Sequence, residues 1–315
     1  MDIMKMEKIN PMKNITHKVD LELREKIQKI KHVALDMDGT IYKGSTLFPF
    51  TIPFLNRLRQ AGINYSFLTN NPSKSTEDYL KRLREMGISA TKEEMYTSAQ
   101  ATIAYIKNNH PEVKRLFLLG TPSMVMEFEA AGFVSVADSA EDRPDMVVVG
   151  FDTSLVYSRL CRASWWVQQG LPYIATNPDK VCPTDQPTVL VDCGSICASI
   201  EQATGRKPDV VIGKPDPRML DGILERYHLH PSEVAMVGDR LYTDIRMAQN
   251  AKTLGVLVLT GEATLEDIVT TGIEPDVVAH NIETFGDMLI DEREISRDTG
   301  RRDAKSCVST MRQQK

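Results

Sequence analysis

The sequence has 315 residues, 42% of them hydrophobic and 26% charged, with a formal net charge of −5 at pH 7. At roughly 150 residues per domain this leaves room for about two domains, or one large domain with an insertion, and the composition is that of a well-filled globular protein. The acidic balance, with no basic stripe interleaved with aromatics, argues against nucleic acid as the main partner, and no stretch approaches the ~20 apolar residues of a membrane span. At the N-terminus, residues 1–18 are rich in Met and Lys without a clear period and read as a loose arm. They contain no apolar core of signal-peptide length. Leu23, Ile27 and Ile30 then fall at helical spacing, which predicts an amphipathic helix over 19–30.

The run Val33-Ala34-Leu35 is uncharged and opens into Asp36-Met37-Asp38-Gly39-Thr40. It reads as a strand buried on both faces, with the acids at its carboxyl end. In an open parallel sheet that end faces the ligand crevice, although Asp and Gly are also favoured in plain turns. Two carboxylates so close tolerate joint ionisation best with a cation between them. An all-oxygen site of this kind suits Mg²⁺, which often bridges to a substrate phosphate.

A helix is expected over 51–61, its apolar face formed by Ile52, Phe54, Leu55 and Leu58. A strand over 63–68 follows, with Thr69, Asn70 and Asn71 at its carboxyl end. Thr69 reads either as a capping hydroxyl or as a phosphate-oxygen donor. Ser73 or Ser75 can cap the next helix, which runs to about Met86, and a short strand and helix occupy 95–106. Strand and helix alternation of this length argues for βαβ units and a parallel sheet. From Pro111 the register begins again, with strands expected over 115–120, 146–150 and 173–176, so a second α/β module is inserted in the first. Phe151-Asp152-Thr153 resembles the opening acidic turn but lacks its second carboxylate, and is read as structural. The polar, proline-bearing loop 177–188 is placed where specificity tends to lie, and Gly194-Ser195 starts a helix. A buried strand over 209–213 leads into Lys214-Pro215, where a lysine after a glycine at a strand end can be fixed over an anion. Another over 233–237 leads into Asp239, with Asp244 one turn later. Two last strands lie over 254–259 and 277–279, and the charged tail beyond Asp291 lacks apolar periodicity and is expected to be disordered. The five cysteines, Cys161, Cys182, Cys193, Cys197 and Cys307, are odd in number and widely spread. No nearby His completes a metal site with Cys193 and Cys197, so free thiols in a reducing cytoplasm are expected.

Asp36-Met37-Asp38-Gly39-Thr40, Thr69-Asn70-Asn71, Gly213-Lys214-Pro215 and the Gly238 to Asp244 segment resemble, in order and spacing, the four motifs of the haloacid dehalogenase superfamily. More narrowly, the chain is similar to its NagD and para-nitrophenylphosphatase branch (subfamily IIA), which also includes pyridoxal phosphate and phosphoglycolate phosphatases. The similarity extends from about Lys31 to Leu289. It implies an α/β fold with a Rossmann-like, doubly wound parallel-sheet core over 31–111 and 206–290, and an α/β cap of the C2 type inserted over 112–205. It further implies a Mg²⁺-dependent phosphatase acting on a small phosphorylated metabolite through an aspartyl phosphate. By match to the motifs, Asp36 is the nucleophile and Asp38 the general acid/base, while Thr69, Asn70 and Lys214 hold the phosphoryl group. Asp36, Asp239 and the backbone carbonyl of Asp38 ligate the metal, with Asp244 steadying that shell. Asn177 and Asp179 fall at the cap's specificity positions, and the resemblance admits a homodimer paired through the cap. The sequence departs from the branch's glycine-rich pattern at Thr188 to Cys193, which touches the choice of substrate and not the catalytic motifs.

For Asp38 to give and take protons near neutrality its pKa must rise, and the charge of neighbouring Asp36 is the expected cause. A phosphomutase or phosphotransferase on the same core is the alternative chemistry. A phospho-aspartate receiver ranks behind it, because receivers are smaller and lack the Asp-x-Asp pair and an insertion of this size.

Overall fold

Uncharged runs that do not alternate become strands covered on both faces, and here each leads into a polar turn and an amphipathic helix. The computed structural model describes residues 21–182, 184 and 187–295. The first part of the chain runs α1 (Leu21–Gln28), β1 (His32–Asp36), the hairpin β2 (Tyr42–Lys43) and β3 (Thr46–Leu47), α2 (Thr51–Gln60), β4 (Asn64–Thr69), α3 (Thr76–Glu85), β5 (Met95–Thr97) and α4 (Ser98–Asn109). There follow β6 (Arg115–Leu119), α5 (Pro122–Ala130), β7 (Val134–Ser135), β8 (Met146–Val149), α6 (Tyr157–Gln168), β9 (Tyr173–Ala175), the hairpin β10 (Val181–Cys182) and β11 (Leu190–Val191), α7 (Cys193–Thr204) and β12 (Val210–Val211). The last part is α8 (Asp221–Tyr227), β13 (Val234–Gly238), α9 (Arg246–Ala251), β14 (Leu254–Val258), α10 (Leu265–Thr271) and β15 (Val277–Ala279), then α11 over 282–295.

The strands assemble into two main sheets, one of six strands in the order β15-β14-β13-β1-β4-β5 and one of five in the order β12-β9-β8-β6-β7. Every pairing in the six-stranded sheet is parallel, and so is every pairing in the five-stranded one. Alternate residues of β1 enter different cores. Val33 and Leu35 join Phe67, Val237, Val256 and Phe285 on one face, whereas Ala34 joins Leu68 and Met236 on the other. That second core continues into Leu116, Leu118, Met146 and Val148 of the five-stranded sheet, so one apolar mass joins the two modules. Between β1 and β4, the buried His32 places Nε2 3.0 Å from Ser66 Oγ and its ring 4.5 Å from that of Tyr227.

Three local features differ from the sequence reading. The strand after the insertion, β12, pairs with β9, so the five-stranded sheet reaches beyond residue 205 before the chain crosses to Lys214. A two-residue strand carries no period that would reveal its sheet. The helix expected at Gly194-Ser195 begins at Cys193, because Asp192 caps it by accepting from the Cys193 N–H at 2.5 Å. The divergent stretch before it is β11, paired antiparallel with β10. Finally, α11 continues past Asp291, where Glu292 is buried and meets Arg24 Nε at 3.4 Å. The N-terminal arm, Cys307 and the tail from residue 296 lie outside the described residues.

Candidate active site

β1 lies between β13 and β4, the point at which strand order reverses and where open α/β sheets form their ligand crevice. Asp36 pairs with Leu68 at the end of β4, and Leu35 pairs with Val237 near the end of β13. The register therefore delivers Asp36, Thr69 and Asp239 to one rim. Directly after Asp38 the chain reverses at Gly39, whose φ of +85° disfavours any side chain, and Gly39 N–H donates to the Tyr42 carbonyl at 2.7 Å.

Lys214, only 3% exposed, reaches this rim from beyond β12. Its ammonium pairs with Asp36 Oδ1 and, at 2.7 Å, with Asp244 Oδ1. Burial pulls the Lys214 pKa down, but Asp244 and Asp36 outweigh it and the net movement is upward. Asn70 fixes the backbone at this point, with Oδ1 accepting from the Lys214 N–H at 2.6 Å and Nδ2 donating to the Lys214 carbonyl at 2.9 Å. Nδ2 also donates to Asp179 Oδ2 at 2.9 Å. The side-chain amide of Asn70, expected on a phosphoryl oxygen, is thus already engaged in positioning Lys214 and Asp179. Thr69 Oγ1 accepts from the Asn71 N–H at 3.2 Å.

Asp36, Asp239 and Asp244 each present a carboxylate oxygen within 4.8 Å of the others. Burial raises the Asp239 pKa to about 7, with the charges of Asp36 and Asp244 adding to the rise. Burial also raises Asp244, to about 6, against the attraction of Lys214. Three facing carboxylates exceed in charge the two cations that act on them, Lys214 and Arg240, the latter also paired with Glu262. Asp239 Oδ1 is buried and lacks a hydrogen-bond partner, and an all-carboxylate donor set of this kind fits Mg²⁺. Asp244, expected behind the ligands, stands in the same triangle as Asp36 and Asp239, while the side chain of Asp38 stands outside it.

Asp38 lies at the cleft and accepts a long 3.5 Å contact from the Gly44 N–H. Its pKa is raised, as the sequence argument requires, but the leading cause is desolvation of the carboxyl, with Asp36 a smaller contributor. The expected contribution of Asp36 is therefore present, but it ranks behind burial.

The cleft holds about 390 Å³ and takes Asp36, Asp38, Thr69, Asn70 and Lys214 on one side and Phe151, Asp179, Cys182 and Asp192 on the other. Asn177 is buried behind this lining, donating to Asp179 Oδ2 at 3.2 Å and to Asp192 Oδ1 at 3.0 Å. Of the two residues expected at specificity positions, Asp179 lines the cleft and Asn177 donates to its carboxylate from behind. Asp152 accepts from the Ser154 N–H and hydroxyl at 2.9 and 2.7 Å, consistent with a structural turn. Sequence reasoning missed three cations in the lining, Lys74, Arg82 and Arg240. Arg82 lies 4.6 Å over the Tyr42 ring and donates to the Gly44 carbonyl at 2.5 Å, and Arg240 Nε pairs with Glu262 at 2.9 Å. Arg240 lies inside the Gly238 to Asp244 motif and so carried a signal, whereas Arg82 is one of several charges on α3.

Comparison with known proteins places the chain in a family. Residues 33–134 match the family model of haloacid dehalogenase-like hydrolases, and residues 211–285 match a second model described as HAD-hydrolase-like. An acid sugar phosphatase of Staphylococcus aureus is 35% identical over 249 residues, covering 79% of this chain and 94% of the relative. The crystal structure of 4-nitrophenylphosphatase from Thermotoga maritima superposes with a TM-score of 0.79 at 40% identity, covering 83% of this chain and 98% of that one. A glycerol phosphate phosphatase from Mycobacterium tuberculosis, solved in complex with magnesium, has a TM-score of 0.75 at 30% identity, covering 82% and 77%. NagD from E. coli K-12 has a TM-score of 0.73 at 31% identity, covering 81% and 97%. Together the match to the family models and the 35% identity across most of the relative's length establish that this chain belongs to the haloacid dehalogenase-like hydrolase family, in its NagD-like branch.

Proposed function

We propose that the chain is a Mg²⁺-dependent phosphatase that hydrolyses a small phosphate monoester through a phosphoryl group carried on Asp36. The observation that carries this reading is the pairing of Asp36 with Lys214 beside the carboxylates of Asp239 and Asp244, at the floor of a cleft. Monoester hydrolysis places negative charge on the phosphoryl oxygens in a loose transition state, so positioning and positive charge dominate its catalysis. When bound, Mg²⁺ at Asp36, Asp239, Asp244 and the Asp38 backbone carbonyl supplies part of that charge.

Asp36 attacks phosphorus while the ester oxygen leaves with a proton from Asp38. Water then attacks the phosphoryl group on Asp36 as Asp38 takes its proton, which releases inorganic phosphate and restores both carboxyls. Lys214 holds Asp36 in line and donates to a phosphoryl oxygen, Thr69 donates to another, and Asn70 keeps Lys214 in place. Asp179, held by Asn177, faces the leaving group. The cleft volume suits a small ligand, and the relatives named for sugar, glycerol and nitrophenyl phosphates support phosphorylated sugars and polyols as the substrate class. Pairing of two chains through the cap is the assembly in the same reading, and sedimentation measures it directly. Cys161, Cys193 and Cys197 stand as thiols outside any disulfide, which fits a reducing, cytoplasmic location.

The test is a panel of sugar phosphates, glycerol phosphate, pyridoxal phosphate, phosphoglycolate and 4-nitrophenyl phosphate, with and without Mg²⁺. Inorganic phosphate is the expected product, and Asp36→Asn abolishes its release. Undiminished turnover by Asp36→Asn overturns the reading, and label transferred to a second metabolite reassigns the enzyme as a phosphotransferase.

A further inference from the structure

We propose that the loop over 260–263, which follows β14, fixes the carboxylate of Asp239 for metal binding, with Gly261 as a positioning residue. The inference rests on the Mg²⁺ reading above and extends it to an element outside the four motifs. Two glycines pack against the Asp239 carboxylate. A Cβ at Gly39 would fall 2.3 Å from Oδ2, and one at Gly261 only 1.9 Å from it and 2.4 Å from Cγ. Gly39 needs its glycine for backbone reasons, since its φ is +85°. Gly261 has no left-handed φ, so the close approach itself explains the missing side chain.

The same loop makes directed bonds to both acidic turns. Glu262 N–H donates to Asp239 Oδ2 at 2.7 Å, and Ala263 N–H donates to the Asp239 carbonyl at 3.0 Å. Thr260 Oγ1 donates to the Gly39 carbonyl at 2.5 Å. These contacts occupy one carboxylate oxygen and leave the other, Oδ1, buried without a partner and available to a cation. Groups that orient a metal ligand in this way commonly account for roughly 10- to 100-fold in metal affinity. The Glu262 side chain has a separate task, pairing with Arg240 at the cleft.

The test is Mg²⁺ titration calorimetry on the full chain, with thermal melts of the metal-free proteins. Gly261→Ala is expected to weaken Mg²⁺ binding about tenfold or more, whereas Glu262→Ala, which keeps its N–H, stays within about twofold of wild type. Gly261→Ala also lowers the metal-free melting temperature, and that loss shrinks in an Asp239→Gly background, since the three atoms nearest the added methyl, Oδ2, Cγ and Cβ, all belong to the Asp239 side chain. The melting comparison decides the matter even where the single variant folds poorly. Mg²⁺ affinity of Gly261→Ala within twofold of wild type, or an equal melting loss with and without Asp239, overturns the inference. A wild-type chain that binds no Mg²⁺ would instead overturn the metal reading, and the melts would still test the grip on Asp239.

Discussion

Asn70 joins three parts of the site, and its replacement has an effect that can be worked from the geometry. Asn70→Ala removes the partners of the Lys214 N–H and carbonyl, at 2.6 and 2.9 Å, and one of the two amides on Asp179. A buried donor or acceptor left unpaired costs roughly 1–3 kcal/mol, so two of them give about 4 kcal/mol, on the order of 10 °C in melting temperature. Asn70→Asp keeps an acceptor for the Lys214 N–H but turns a carboxylate oxygen toward the Lys214 carbonyl and Asp179. It is therefore the less stable of the two at pH 8. The introduced carboxyl has a raised folded-state pKa, so the native state binds the extra proton and Asn70→Asp recovers as pH falls toward 5. Calorimetric melts at both pH values read the order directly, and turnover should fall on the order of 10²-fold in each variant as Lys214 loses its position. Equal stability of Asn70→Asp and Asn70→Ala at pH 8 would refute the reasoning.

Asp38→Asn should lose most turnover yet bind Mg²⁺ within a few-fold of wild type, since its side chain stands outside the carboxylate triangle; calorimetry showing lost Mg²⁺ binding removes the assigned role. The folded-state pKa values of Asp239 and Asp244, about 7 and about 6, lie above the unfolded carboxylate value. Metal-free stability therefore drops as pH rises through that window, and Mg²⁺ at pH 8 restores it, as melts with and without chelator will show. His32 acts in the opposite sense, since burial lowers its pKa to about 3. The unfolded chain takes up that proton below about pH 6.5, so at pH 4.5 the buried imidazole costs roughly 3 kcal/mol that is absent at pH 7. His32→Gln should lose less stability between pH 7 and pH 4.5 than wild type, and an unchanged acid-side loss in the melts refutes this.

The strands were legible because Val33 to Leu35 or Ala235 to Val237 must be covered on both faces, and the acids because they stand at the ends of such runs. What stayed hidden depends on contacts between distant segments. Asn70 reads as a ligand for phosphate until its amide is seen to hold Lys214 and Asp179. Gly261 draws no reading from sequence, because nothing local reports a carboxylate oxygen 1.9 Å from its missing Cβ. Arg82 reads as a solvated helix charge, and β12 is too short to declare its sheet. The cause of the Asp38 shift was misjudged for a related reason. Sequence spacing brings Asp36 to mind, whereas the leading cause is burial, in a cleft that residues as distant as Cys182 and Arg240 also line.

Among the described residues, the five-stranded sheet and its loops contribute only Lys214, three residues past β12, to the Asp36, Asp239, Asp244 and Lys214 cluster. They meet it through the wall of the cleft and the Asn177, Asp179 and Asn70 amide chain. On the proposed reading, selection rests on the loop that carries Asp179, and bond cleavage on the acidic turns with Lys214. Grafting residues 180–191 from a relative, with Asn177, Asp179 and Asp192 retained, would exchange the ester preference and leave the hydrolytic apparatus untouched.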